Sequence, residues 1–240
     1  MIARKTSRGW QPAWKMSFYL MGLPYAALSL ALLTLGVMIA VSDAAWRNPF
    51  QAVIIVLPLI GAVQAAFLFA PDDEQALEVL LAAPRPARWL IAERAAALFA
   101  MHVSLGLAGS LIVALLPGGE DLTHHLIRWL PPFVALSGLS AAVSFMFRRS
   151  SYGVLVAILL YGSTLLGGDA LVMHALEARL GLAAPTLLSH AWVLHPFLQA
   201  HALGALDYLI NRLVLCLLGA GLFAAMMRWI HDTERTLGKS

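Results

Sequence analysis

Histidine is the residue type in this chain with the widest chemical repertoire, and there are eight of them. His124, His125, His174, His190, His195 and His201 lie in or beside two loop-like stretches, where such a set would bind a metal or haem or respond to pH. None stands at tight ligand spacing to cysteine or to paired carboxylates, and adjacent His124 and His125 cannot face one point from a helix. No metal ligand set is expected. His102 stands alone in an apolar run, as do Gln64 and Tyr161 in two others. Polar and ionisable groups at membrane depth usually face a bundle interior. These three are therefore candidates for a substrate path, with ordinary hydrogen-bonded core residues as the alternative. Gly138-Leu139-Ser140 has the spacing of a serine nucleophile, but its base would have to be a histidine within 209–230, and that stretch has none. Gly238-Lys239-Ser240 resembles the end of a phosphate-binding loop, yet position 233, where glycine is required, is Thr. The chain is not expected to be an enzyme.

The elements that would hold these residues are set by composition. Of 240 residues, 60% are hydrophobic and 12% charged, with a mean hydropathy of +0.79. Soluble domains carry about 25% charged residues, so this composition points to lipid as the solvent. The net charge of +3 is too small to imply a nucleic-acid partner. One cysteine, Cys216, excludes an intrachain disulfide framework.

A helix needs roughly 20 apolar residues to cross a bilayer. Six runs approach that length, at 18–40, 50–70, 95–116, 130–147, 152–168 and 209–230. The expected fold is all-α, a single polytopic membrane domain over 1–240. The first run is longer than a cleavable signal core and reads as an uncleaved anchor. With the N-terminus inside, 12 of the 16 Lys and Arg residues fall on cytoplasmic segments, a positive-inside bias that places both termini in the cytoplasm of a multi-pass inner-membrane protein. Residues 1–17, with Trp10 and Trp14 at i,i+4 among Arg4, Lys5, Arg8 and Lys15, read as an interfacial helix. Residues 169–208 form a long apolar outer segment broken at Gly181, Pro185 and Pro196. The fourth and fifth runs are joined by Arg148-Arg149-Ser150-Ser151 alone, a tight cytoplasmic hairpin.

Residues 72–83 predict a short cytoplasmic helix. Asp72 and Gln75 suit a capping box, Asp73 and Glu74 suit the positive end of the helix dipole, and Pro84 and Pro86 stop it. Leu77, Leu80 and Leu81 share one face, and Glu74 and Glu78 another. Arg85 and Arg88 follow as the chain returns to the membrane. Such a helix is either a solvated loop or a docking element for a groove on a soluble partner.

The segment from Asp72 to Arg88 resembles the cytoplasmic loop of ABC-2-type transporter permeases, with its acidic start, Leu-Glu-x-Leu-Leu core, proline and trailing arginines. Six spans, cytoplasmic termini, a basic aromatic N-terminal segment and Leu194-His195-Pro196-Phe197 before the last span extend the resemblance over most of the chain. The resemblance implies a permease subunit of an ATP-driven exporter. ATP and Mg would bind a separate ATP-binding cassette subunit, with no cofactor in this chain. A second copy or a homologous permease would complete the path through membrane lipid. Residues 72–83 would be the coupling helix, with Asp73, Glu74, Leu77, Glu78, Leu80, Leu81, Arg85 and Arg88 as its contact residues. A haem-exporter-like permease of cytochrome c maturation and a secondary transporter outside this superfamily are the alternatives.

Overall fold

The computed structural model describes residues 27–31, 34, 51–73, 87–115, 121–182, 186, 188–198 and 200–237, and among these no strand forms. A short helical stretch at 27–31 is followed by α1 (Gln51–Leu68), α2 (Ala87–Leu115), α3 (Leu122–Phe147) and α4 (Ser150–Arg179). A 3-10 helix (Leu188–Leu194), the single turn α5 (Ala200–Leu203) and α6 (Ala205–Leu237) complete the described chain.

Among the described residues, three segments are long and apolar enough to cross a bilayer: Ile91–Leu115, Leu122–Phe147 and Ala205–Ile230. They coincide with the expected third, fourth and sixth spans. The expected second and fifth spans correspond to shorter apolar helical stretches, Val53–Leu68 and Ser150–Thr164. The expected first span is described only at 27–31 and 34, and the expected interfacial helix at 1–17 lies outside the described residues.

α4 runs past the expected boundary at 168 and takes in the first eleven residues of the expected outer segment. Gly162, Gly167 and Gly168 do not end it, because the sequence that follows is rich in Ala, Leu, Met and Glu, all strong helix formers. It stops where Gly181 takes a positive φ of 70°.

The helices pack around α3, which lies against α1 and α6 over most of its length. Phe69, Ile91, Leu98, Met226 and Ile230 form one buried cluster, and Val53, Leu57, Trp129 and Phe133 another. Phe99 joins them, edge-on to Phe133 at 5.2 Å and to Phe223 at 5.3 Å. At the α3–α6 crossing a Cβ on Gly138 would lie 2.6 Å from the Gly219 carbonyl oxygen, so only glycine permits this approach. Gly138 is thus opposed to Gly219 across the crossing, while Gly221 faces open space. Leu111, Ile112, Leu155, Leu159, Leu213 and Leu217 are exposed, whereas Ser137, Ser140 and Ser144 are buried. Apolar surface outside and hydroxyls inside suit a bundle solvated by lipid.

Candidate functional site

Two polar assemblies stand at opposite ends of α3. Its 26 residues separate them by about 39 Å at 1.5 Å per residue.

At the C-terminal end of α3, Arg148 takes a left-handed φ of 62°, which turns the chain sharply into α4. Asp72 holds that turn from another part of the sequence. Its Oδ1 accepts from Arg148 Nε at 2.9 Å and Nη2 at 2.8 Å, and its own backbone N–H donates to the Arg148 carbonyl at 3.0 Å. Asp73 continues the clamp: Oδ2 accepts from both the backbone N–H and the hydroxyl of Ser150, each at 2.5 Å. Ser150 begins α4, so a carboxylate 77 residues away satisfies the first free N–H of that helix. The Ser150 hydroxyl and then its N–H hold the Asp73 carboxyl below its ordinary pKa, against the opposing effect of desolvation. Nearby, Arg94 of α2 donates to the Leu68 carbonyl at the end of α1 at 3.3 Å. The sequence reading gave Asp72 and Asp73 to the start of their own following helix. Here both carboxylates reach across to the α3–α4 hairpin.

Residues 74–86 lie outside the described part, and with them Glu74, Leu77, Glu78, Leu80, Leu81 and Arg85. Arg88 falls in the first turn of α2, and its side chain also lies outside the described part.

The three interior candidates have separate partners. Gln64 donates to Ser29 Oγ at 2.7 Å. His102 Nδ1 lies 3.0 Å from the Leu98 carbonyl, which can only accept, so Nδ1 carries the proton. The ring stacks on Phe133 at 5.2 Å, and Nε2 is buried without a hydrogen bond. Tyr161 meets Phe197 edge-on at 5.1 Å. Ser140, of the nucleophile-like spacing, gives its hydroxyl to the Gly153 carbonyl at 3.2 Å. His125 is fully buried beside Ser110, whose hydroxyl donates to the Gly106 carbonyl and accepts from Trp129 Nε1. The Ser110 proton is thereby committed, so His125 Nδ1 is the donor in their 2.8 Å contact. This links α2 to α3. Among the described residues no three His, Cys, Asp or Glu gather into a possible metal site.

At the N-terminal end of α3 the 3-10 helix and the segment after it are fastened to α6. Asn211 Nδ2 lies within hydrogen-bonding distance of three carbonyls, Trp192 at 3.0 Å, Val193 at 2.9 Å and His195 at 3.0 Å. Arg212 donates from Nη1 to Pro196 and from Nη2 to Leu198, each at 2.6 Å. Its guanidinium lies 4.6 Å from the Tyr208 ring centroid. Irregular backbone leaves carbonyls unpaired, and in a lipid-solvated bundle each must find a donor. Two adjacent side chains bring donors to five carbonyls here, with the two Asn211 N–H bonds shared among three of them. Arg179, at the end of α4, adds a bidentate pair to Asp207 of α6 at 2.7 and 2.9 Å and lies 5.5 Å from the Trp192 ring centroid. Sequence reading used Arg212 only as a charge to be counted. The signal available was Asn211-Arg212 interrupting Leu209-Ile210 and Leu213-Val214, a polar pair that an apolar helix tolerates only with dedicated partners.

The chain matches no protein-family model, no curated protein and no solved structure. Its described residues form a helical bundle with three bilayer-length apolar helices, clamped at one end by carboxylates and latched at the other by buried donors.

Proposed function

We propose that this chain is the membrane-spanning permease subunit of an ATP-driven exporter of the ABC-2 type, coupled to a separate ATP-binding subunit. The observation that carries the reading is the position of the Asp72–Arg88 segment: its first two residues clamp the α3–α4 hairpin. A partner that pushes on 74–86 would therefore act on α1, from which the segment leaves, and on α3 and α4 through Arg148 and Ser150. Two nucleotide-dependent states of the partner with different affinities for two states of the bundle would drive transport. The Leu-Glu-x-Leu-Leu pattern between two apolar helices and the bilayer-length helices support the same reading. On this reading six spans cross the inner membrane, both termini and the Asp73 end are cytoplasmic, and two permease chains enclose the path.

The test is purification of the tagged full chain from its native membrane in mild detergent, with mass spectrometry of co-eluting proteins. A stoichiometric soluble protein with a phosphate-binding loop is expected, and Glu78→Lys is expected to release it while leaving the chain inserted. A chain that purifies without any ATPase, or a Glu78→Lys protein that keeps the partner and transports normally, would overturn the proposal.

A further inference from the structure

The latch on α6 contains more polar capacity than the protein itself uses. Tyr208, Asn211 and Arg212 lie at i, i+3 and i+4 and share one helix face. All three side chains are buried, with relative exposures of 5%, 0% and 5%. Each nevertheless has one polar atom that accepts or donates no hydrogen bond among the described residues: the Tyr208 hydroxyl, Asn211 Oδ1 and Arg212 Nε. Buried polar atoms are normally satisfied, so three orphans on one face need an explanation.

Charge sharpens the point. The Arg212 guanidinium is buried, and no described carboxylate forms an ion pair with it; the nearby Arg179–Asp207 pair is closed on itself. Its described partners are two carbonyls and an aromatic face. His124 of α3 stacks on Tyr208 at 6.5 Å. A buried cation is costly without a counter-anion. Nε–H and the tyrosine O–H are donors, suited to an anionic oxygen, and Asn211 Oδ1 is an acceptor, suited to a hydroxyl.

We propose that Tyr208, Asn211 and Arg212 form a binding site for a hydroxyl-bearing oxyanion, the chemistry shared by a phosphatidylglycerol headgroup and by hydrogen phosphate. This site goes beyond the transport reading and does not depend on it.

The test uses the purified full chain in neutral detergent, titrated separately with short-chain phosphatidylglycerol and with inorganic phosphate, with binding followed by tryptophan fluorescence. Tyr208→Phe keeps the ring against the Arg212 guanidinium and removes only the hydroxyl, so the unliganded protein should still fold. Its affinity should fall about tenfold, as expected for one hydrogen bond to a charged group. Arg212→Gln should abolish binding. Should that variant not fold because the latch is broken, Tyr208→Phe still decides. Tyr208-dependent binding of the lipid with none of phosphate identifies a headgroup site, and Tyr208-dependent binding of phosphate itself identifies a site for the free anion. Binding of neither probe, or affinities that Tyr208→Phe leaves unchanged, overturns the proposal.

Discussion

The two ends of α3 meet the same need by different means. Both must occupy backbone groups that a helix or an irregular segment leaves free. At the Asp73 end the work is done by carboxylates in the open: the side chains of Arg148 and Asp72 are 63% and 42% exposed. At the Arg212 end it is done by buried amide and guanidinium donors held against carbonyls. Exposed ion pairs are screened by salt and contribute little each, whereas a buried carbonyl deprived of its donor has no water to turn to. The first arrangement is suited to release and re-forming; the second is suited to staying shut. On the proposed transport reading, that asymmetry places a yielding end beneath the motor and a fixed end opposite.

The comparison fails first at Asn211 if it is wrong. Asn211→Leu removes the side-chain donor from the carbonyls of Trp192, Val193 and His195, of which the first and last keep only the N–H groups of His195 and Leu198, and should cost about 1–3 kcal/mol in thermal unfolding in detergent. A negligible change would mean that the latch does not hold the segment.

The Asp73 end should show itself through conditions. Asp72→Arg should open the hairpin to proteolysis at Arg148 or Arg149, and Arg148→Asp in the same chain should close it again. Its pH dependence has a definite sign. Bonds from Ser150 depress the Asp73 pKa in the folded protein, so their stabilisation is present above the ordinary carboxylate pKa and is lost as pH falls through the lower folded value. Proteolysis of the hairpin by an acid-active protease should rise only in that acid range, and Asp73→Ala should remove the step. A hairpin whose protection is independent of pH in this range would contradict the clamp.

A smaller effect is expected from Arg179→Gln. That pair is bidentate but partly exposed, at 42% and 21%, so the loss should stay below about 1 kcal/mol. A loss as large as that of Asn211→Leu would erase the distinction between open ion pairs and buried donors. Least of all should change with His102→Phe. The ring keeps its stack on Phe133 and gives up a single bond to Leu98, a difference within about 1 kcal/mol by the same unfolding assay.

Helix positions were legible because apolar run length speaks directly: α2, α3 and α6 fall close to where the runs lie. Boundaries set by specific contacts were not. The end of α4 depended on the helix formers after Gly168, which outweighed three glycines. The glycine pair at the α3–α6 crossing joins residues 81 positions apart, and no local spacing reveals it. Asp72 was visible as a cap and Asp73 as a first-turn acid, but such patterns assume that the helix they serve follows in sequence. Ser150 is capped from 77 residues away, a relation only the fold creates. Asn211 and Arg212 were visible as polar residues in an apolar run, and their five carbonyl partners were not.

The account rests on the two ends lying on opposite faces of a membrane, with the Asp73 end toward the cytoplasm. Single cysteines at two exposed positions, Arg149→Cys and His190→Cys, each in a Cys216→Ser background, test this in intact spheroplasts with a membrane-impermeant maleimide. The account predicts that position 190 labels from outside and that position 149 labels only after the membrane is opened. Labelling of position 149 in intact cells, or of both positions from the same side, would contradict it.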